Sequence, residues 1–263
     1  MRTSPKVLAL SVMAVATFGA AQNASGNGLS DAAQMQMQMQ RPVQGLAFPS
    51  SFGVPTAVAP RSGTGFVGAT YANPRGGVSG AGGDGDIVAG YSVGNPTDAI
   101  SLTFGVAFTG LDPLGDAGAF SVSASRLIHV AGSSATFAGI TFSNLLAWGP
   151  NRNRPVMTSA YMSHLVGIPS GEAEIPVQLT LGYGTDTTRK SDGSGILGEG
   201  LFAGVGVGVA PNISMGVSAT RTQVNMGATL TIPGTRMGTT VGVFDVTNAT
   251  QRRQVSLSVG FGF

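Results

Sequence analysis

The last nine residues of the chain, 255–263, alternate a large apolar residue with a small one and end on an aromatic residue. Successive side chains of an extended strand point to opposite faces. The large face comprises Val255, Leu257, Val259, Phe261 and Phe263, and the small face comprises Ser256, Ser258, Gly260 and Gly262. The alternation therefore predicts a β-strand with an apolar environment on one side and small or polar groups on the other.

A strand of this kind that ends on phenylalanine resembles the C-terminal strand of bacterial outer-membrane β-barrel proteins. The resemblance implies that the apolar side chains Val255, Leu257, Val259, Phe261 and Phe263 act as a membrane-insertion signal for the barrel-assembly machinery. It also implies periplasmic chaperones and outer-membrane lipid as partners. A soluble β-sandwich is the alternative, because it too buries one apolar strand face.

The N-terminus has the features of an export signal. Arg2 and Lys6 form a positively charged region before an uncharged apolar stretch, Val7 to Phe18, and small residues follow before Gln22. This pattern predicts a Sec-type signal peptide over residues 1–21 that is removed on export. A retained N-terminal anchor is the alternative, although the stretch is short for a membrane-spanning helix. The chain has no cysteine, so neither a lipoprotein anchor nor a disulfide framework is available.

Charge is scarce for an exported protein. Charged residues make up 10% of the chain and hydrophobic residues 42%, whereas a soluble domain carries about 25% charge. Beyond the signal, the sequence offers no apolar run long enough for a transmembrane helix. A closed β-barrel reconciles these features, because only alternate residues of each strand face lipid.

Net charge argues against a nucleic-acid partner. Loss of Arg2 and Lys6 with the signal lowers the 14 basic residues to 12, which equals the 12 acidic residues. The mature chain is therefore formally neutral, and its sequence shows no basic patch interleaved with aromatic residues. The sequence leaves the oligomeric state open.

From residue 63 onward the chain is a series of short alternating segments separated by Gly, Pro, Asn and Asp clusters. We count twelve predicted strands in a barrel domain that covers residues 63–263. Connections after odd-numbered strands are mostly long and those after even-numbered strands mostly short, with the step at Arg221 as the exception. Outer-membrane barrels alternate long external loops with short periplasmic turns. The pattern predicts an all-β, closed, antiparallel up-and-down transmembrane barrel in the outer membrane.

Residues 22–62 lack strand periodicity and contain a run of alternating glutamine and methionine, Gln34 to Gln40. We predict that they form a low-complexity periplasmic extension or a plug of the lumen. The thioethers of Met35, Met37 and Met39 are of a type that binds Cu(I). Simple low complexity is the favoured interpretation, so no metal and no cofactor is assigned.

The small faces of the strands define a predicted lumen with few charges. Its predicted lining residues are Ser101, Thr103, Gly204, Gly206, Gly208, Asn225, Thr229, Ser256 and Ser258. Because rings of charged side chains set ion selectivity, this lumen predicts passive, weakly selective diffusion of small uncharged or polar solutes. The alternative is a structural or surface-interaction barrel plugged by the N-terminal segment. We attribute the three glycines mainly to local bending, with close approach of a plug or solute as the alternative.

The pattern gives little support to catalysis. His164 lies near Ser159 and Ser163, but no nucleophile-elbow motif surrounds them, so we expect no catalytic residue and no enzyme activity. The segment Gly82 to Asp86 is similar to calcium-binding repeats but occurs once, which favours a surface loop. An aromatic girdle is expected from the positions of Tyr71, Trp148, Tyr161 and Tyr183 near predicted strand ends.

A gel-shift experiment tests the predicted barrel. A closed barrel stays compact in detergent until it is heated, so the unheated and heated samples should migrate differently. Identical migration of the two samples would contradict the predicted closed architecture.

Overall fold

The computed structural model describes residues 48–58, 60, 62–73, 83–109, 114–131, 133–170, 173–189 and 197–263. Within these ranges the chain forms twelve strands. They are β1 Gly65–Ala72, β2 Asp84–Gly94, β3 Ser101–Thr109, β4 Gly118–Ala131, β5 Ser134–Trp148, β6 Met157–Ser170, β7 Ala173–Arg189, β8 Leu197–Ala210, β9 Ile213–Thr220, β10 Val224–Thr231, β11 Met237–Phe244 and β12 Gln254–Gly262. Each strand pairs antiparallel with the next, and β1 pairs with β12, so the sheet is a closed barrel. The predicted architecture and strand count are confirmed.

The connections at one end of the barrel are mostly shorter than those at the other end. The connections after even-numbered strands are 95–100, 132–133, 171–172, 211–212 and 232–236. Those after odd-numbered strands are 73–83, 110–117, 149–156, 190–196, 221–223 and 245–253, and the third contains a short 3-10 helix, Gly149–Asn153. Among the described residues, no helix is both long enough and apolar enough to cross a membrane.

Two strands are longer than the sequence pattern indicated. Alternation predicted Pro176–Gly184 and Leu201–Ala210, but β7 continues to Arg189 and β8 begins at Leu197. The pairing resumes beyond a register shift, with Thr188 opposite Gly198. Backbone hydrogen bonding therefore extends the β7–β8 hairpin into a polar part of the sequence, where no alternation of apolar residues could predict a strand.

The terminal strand places its large side chains outside the barrel. Val255, Leu257, Val259, Phe261 and Phe263 are 40 to 59% exposed. Ser256 and Ser258 are buried on the inner face, as the period of two requires. The other strands also leave large apolar side chains exposed, for example Phe104, Leu181, Leu201 and Met215. Such an outer surface suits hydrocarbon better than water.

The first and last strands close the barrel. The backbone N–H of Phe263 donates to the carbonyl of Gly65 at 2.9 Å, and the N–H of Gly65 donates to Phe263 at 3.0 Å. Further along the same seam, the hydroxyls of Thr70 and Ser258 lie 2.8 Å apart. The last residue of the sequence is thus part of the closing hydrogen-bond ladder.

The expected aromatic girdle needs one correction. Tyr71 and Tyr183 are exposed on the outer surface, and the Trp148 ring packs against Phe108 and Phe120. Tyr161, by contrast, is buried inside, where its hydroxyl lies 2.6 Å from that of Thr141. Its place in the girdle was wrong, because the odd-numbered residues 161, 163 and 165 of β6 are the buried, inward-facing ones.

Inside the wall, aromatic rings cover glycines on neighbouring strands. Phe66 lies directly opposite Gly90, and Phe202 lies opposite Gly182. A Cβ added at Gly182 would lie 2.6 Å from the Cβ of Tyr161 and would also overlap the Phe202 ring. Such aromatic–glycine pairs fill a curved sheet without crowding it.

We predict that Gly182→Val destabilises the barrel. The added side chain must displace the buried Phe202 ring, and overpacking of this kind costs about 1–3 kcal/mol. Urea unfolding, followed by the fluorescence of the single tryptophan, Trp148, measures the change. Gly198→Val is the matched control, because the nearest atom to its added Cβ is 3.9 Å away. Equal unfolding midpoints for the two variants would contradict the packing argument.

Candidate functional site

The inner wall of the barrel is built from hydroxyl and amide side chains paired across strands. Of the predicted lining residues, Ser101, Thr103, Asn225, Thr229, Ser256 and Ser258 are buried, and Gly204, Gly206 and Gly208 lie on the same inward face of β8. The cross-strand hydroxyl pairs include Ser92–Thr103 at 2.8 Å, Ser123–Thr141 at 2.7 Å, Ser163–Thr180 at 2.9 Å and Thr229–Thr240 at 2.8 Å. Each pair stands in direct register. The wall is therefore polar yet largely self-satisfied.

Charge on the inside is sparse. Among the described residues, the buried charged side chains are Asp86 and Asp245. The Asp245 carboxylate accepts the backbone N–H groups of Ala249 and Thr250 at 2.9 and 3.0 Å, and the Thr250 hydroxyl at 2.7 Å. It thereby holds the connection between β11 and β12. Asp86 stands on the inner face of β2, opposite Thr70 and Thr109 in the register of the sheet.

A stretch of the chain that precedes the first strand lies inside the barrel. We call residues 48–58 the inserted segment. Except for Phe48 and Gly53, which are partly buried, all of its residues are buried. It contacts inward-facing side chains on two sides of the wall, one formed by β4 to β8 and the other by β8 to β11. The segment therefore spans the lumen between these two sides.

One side of this contact is a row of four glycines in register. Gly206 of β8 stands opposite Gly216 of β9, which stands opposite Gly227 of β10, and Gly227 stands opposite Gly242 of β11. Cβ atoms at these positions would collide with the inserted segment: at Gly206 and Gly216 with Ser50, and at Gly227 and Gly242 with the ring of Phe52.

Gly204, next along β8, shows the same close approach. An added Cβ there would lie 2.6 Å from the Cβ of Ser51 and 2.7 Å from Val54. Bending was the interpretation that the sequence favoured for these glycines. The structure shows instead that Gly204 and Gly206 make room for another part of the chain.

Polar contacts hold the other side of the inserted segment. Gln178, which is fully buried, donates from Nε2 to the hydroxyls of Thr56 at 3.0 Å and Thr180 at 3.1 Å, with Ser51 at 3.5 Å. The backbone N–H of Ala57 donates to the Ser163 hydroxyl at 2.9 Å. These bonds give the buried amide N–H groups of Gln178 and the backbone N–H of Ala57 hydrogen-bond partners.

Apolar packing adds to these bonds. Val54, Ala57 and Val58 belong to one buried cluster with Phe137, Tyr161, Leu165 and Phe202 of the wall. Phe52 packs on Phe244 with ring centroids 4.9 Å apart. Between the two groups the chain turns at Gly53, whose φ of +81° is a conformation that suits glycine. The added Cβ would also lie 2.9 Å from Nδ2 of Asn225.

Sequence reasoning missed several of these residues. The alternation placed Gly216 and Gly227 on lumen-facing strand faces but gave them no role, Gln178 and Gly242 were not singled out, and residues 48–58 were part of the predicted extension or plug without individual contacts. A hint was present, since Gly216, Gly227 and Gly242 each occupy the small face of a predicted strand. Only the register of the sheet, however, aligns them in one row.

The structure separates His164 from the neighbouring Ser163. On β6, Ser163 faces the interior and His164 the exterior, where its Nδ1 lies 2.8 Å from the Thr136 hydroxyl. In the described part of the chain, no three His, Cys, Asp or Glu side chains are grouped as a metal site would require. The predicted signal peptide and the Gln34 to Gln40 run lie outside the described residues, as does most of the loop before Asp86.

Comparison with known proteins identifies the type of fold. No family model and no curated protein matches the chain. Among solved structures, the KdgM porin superposes with a TM-score of 0.50 at 10% identity, covering 75% of this chain and 99% of that one. The NanC porin (TM-score 0.47, 8% identity, 75% and 98% coverage) and Omp33 of Acinetobacter baumannii (0.43, 9%, 76% and 98%) are also similar. The fold is that of porin-like outer-membrane β-barrels, with no specific family.

We predict that Gln178→Met loosens the inserted segment. Methionine fills a similar volume but donates no hydrogen bond, and each lost bond costs about 1 kcal/mol. In a chain without native cysteine, the thiol of a Val54→Cys reporter should then be labelled by a polar maleimide about tenfold faster, since about 1.4 kcal/mol corresponds to that factor. Thr240→Val, which removes a wall hydroxyl paired with Thr229, is the control. If both variants label at the same rate, Gln178 is not an anchor of the segment.

Proposed function

We propose that the protein is an outer-membrane channel for small uncharged or polar solutes, whose path is closed at rest by the inserted segment. The observation that carries the proposal is the seating of residues 48–58 on the glycine row and on Gln178. A fold shared with porins supports the channel part of the proposal, and the exposed apolar side chains of the outer surface support the membrane location.

The burial of the wall supports closure at rest. Side chains that line an open, water-filled pore keep contact with solvent. Here Ser92, Ser163 and Gln178 are 0% exposed, and Ser101 is 1% exposed. The inserted segment makes polar contacts with Gln178 and Ser163 and apolar contacts through Phe52, Val54 and Val58. Opening therefore requires both kinds of contact to break.

The wall chemistry supports weak selectivity. Among the described inward-facing strand side chains, neutral hydroxyl and amide groups outnumber the buried carboxylate of Asp86. Without a ring of like charges, neither cations nor anions gain a strong electrostatic preference. Hydroxyl groups can exchange their cross-strand partners for the hydrogen bonds of a polar solute at small net cost.

The C-terminal strand supports the proposed route of assembly. Val255, Leu257, Val259, Phe261 and Phe263 present one uninterrupted apolar row on the outer surface. We propose that the barrel-assembly machinery reads this row as an insertion signal, with periplasmic chaperones delivering the chain after Sec-dependent export.

A second candidate is a structural or surface-interaction barrel that never opens. The depth of the inserted segment favours it, because the segment contacts strands on both sides of the lumen. The two candidates differ in whether the intact protein conducts at all.

Planar-bilayer recordings distinguish the candidates. Removing residues 22–58 should produce steady conductance steps, because the glycine row and the polar wall then face water. The intact channel should show infrequent openings of similar size. An intact protein that never conducts, beside a conducting deletion, would favour the structural barrel. A deletion variant that folds but does not conduct would overturn the channel proposal.

A disulfide lock tests closure without removing any residue. The hydroxyls of Ser51 and Thr180 lie 3.4 Å apart, so cysteines at these two positions would bring their sulfur atoms close together and are a suitable pair for a disulfide test. We expect Ser51→Cys with Thr180→Cys to abolish the openings when oxidised and to restore them on reduction. Ser51→Cys alone is the control and should not respond to oxidant. Openings that persist in the fully oxidised double variant would contradict closure by the segment.

A further inference from the structure

One region of the outer surface departs from the apolar pattern. His129 of β4 stands opposite Thr136 of β5, which stands opposite His164 of β6. The three side chains therefore form one row across three strands, and Arg126 is exposed on the same outer face of β4. We call these four residues the polar row.

A bulge in β4 directs His129 to this surface. The register shifts between Leu127, which stands opposite Phe137, and His129, which stands opposite Thr136. Leu127, the partner of the inward-facing Phe137, lies two positions before His129. Strict alternation would therefore place His129 on the inner face as well. The extra residue, Ile128, turns the strand so that His129 is exposed instead. Bulges commonly re-aim a side chain in this way.

The polar row lies near the end of the barrel that carries the short connections. His129 comes shortly before residues 132–133, the connection between β4 and β5, and Thr136 comes shortly after it. The N–H of Leu127 donates to the carbonyl of Pro96 in the β2–β3 connection at 2.8 Å. In outer-membrane barrels short connections are periplasmic, so the polar row would lie at the level of periplasmic-leaflet head groups.

The side-chain donors of Arg126 and His129 are not used inside the protein. Among the described residues, the side chains of Arg126 and His129 have no hydrogen-bond or ion-pair partner. The carboxylate of Asp98, in the adjacent turn, accepts bonds from Asn95 at 2.6 Å and from Thr97. His164 is held by Thr136 at 2.8 Å. When that hydroxyl donates to Nδ1, the ring proton resides on Nε2 and remains available as a donor.

We propose that the polar row binds the phosphate group of a phospholipid in the periplasmic leaflet. A guanidinium presents a fork of donors that matches phosphate oxygens, and the imidazole N–H groups add donors beside it. The exposed apolar side chains of Ile128 and Met162 lie beside the row and provide a surface for acyl chains. The proposal rests on the proposed membrane location and does not depend on channel activity.

Native mass spectrometry of the detergent-solubilised barrel, with phosphatidylglycerol as the probe, tests the proposal. We expect Arg126→Gln with His129→Gln to lower the fraction of barrel that retains one lipid about fivefold, because one basic charge near a lipid surface is worth about 1 kcal/mol. Arg236→Gln, at an exposed arginine of the same barrel end, is the control and should leave retention unchanged. His164→Gln is a second, independent variant that should also lower the fraction of barrel that retains one lipid.

The outcomes distinguish a lipid site at the polar row from a general effect of surface charge. Equal retention by the double variant and the unaltered chain would overturn the proposal, as would an equal loss caused by Arg236→Gln. Displacement of the lipid by inorganic phosphate alone would show that the acyl contacts contribute nothing, and would overturn the assignment to a phospholipid. The heat-dependent gel shift confirms that each variant is folded. A variant that loses the lipid but keeps the closed barrel and its conductance therefore has a defect at the polar row alone.

Discussion

Closure of the sheet is the constraint on which the rest of this structure depends. In hydrocarbon no water is available to satisfy an unpaired strand edge, so every backbone N–H and C=O must find a partner within the sheet. The pairing of Phe263 with Gly65 removes the last edge. The large side chains of β12 then face outward, while its serines face inward, because the period of two leaves no other choice.

Closure also creates an interior that must be filled. Small residues on the inner faces leave room at Gly204, Gly206, Gly216, Gly227 and Gly242. Phe52 and its neighbours occupy that room, and Gln178 and Ser163 satisfy the polar groups that enter with them. The inner wall and the inserted segment are thus complementary in shape and in hydrogen bonding, which explains why the wall side chains are so deeply buried.

Much of the barrel could be predicted from local patterns. Alternation identified the strands and the inward-facing positions such as Ser101 and Asn225, because a strand's side-chain period is a property of neighbouring residues. Tyr161 shows the limit of this reasoning. Its position near a predicted strand end suggested a membrane girdle, but its parity within β6 places it inside, against Thr141. Likewise, a bulge that no alternation pattern reveals turned His129 outward.

By itself, the sequence determined a barrel with an apolar outside and an inside with few charges, since both follow from alternation and from the scarcity of charge. Tertiary structure decided what the glycines are for. Gly206, Gly216, Gly227 and Gly242 are far apart in the chain and become one row only through strand register, which depends on pairing around the whole barrel. The position of residues 48–58 was decided in the same way, because this segment has no periodicity and acquires its place only from the cavity that the closed sheet provides.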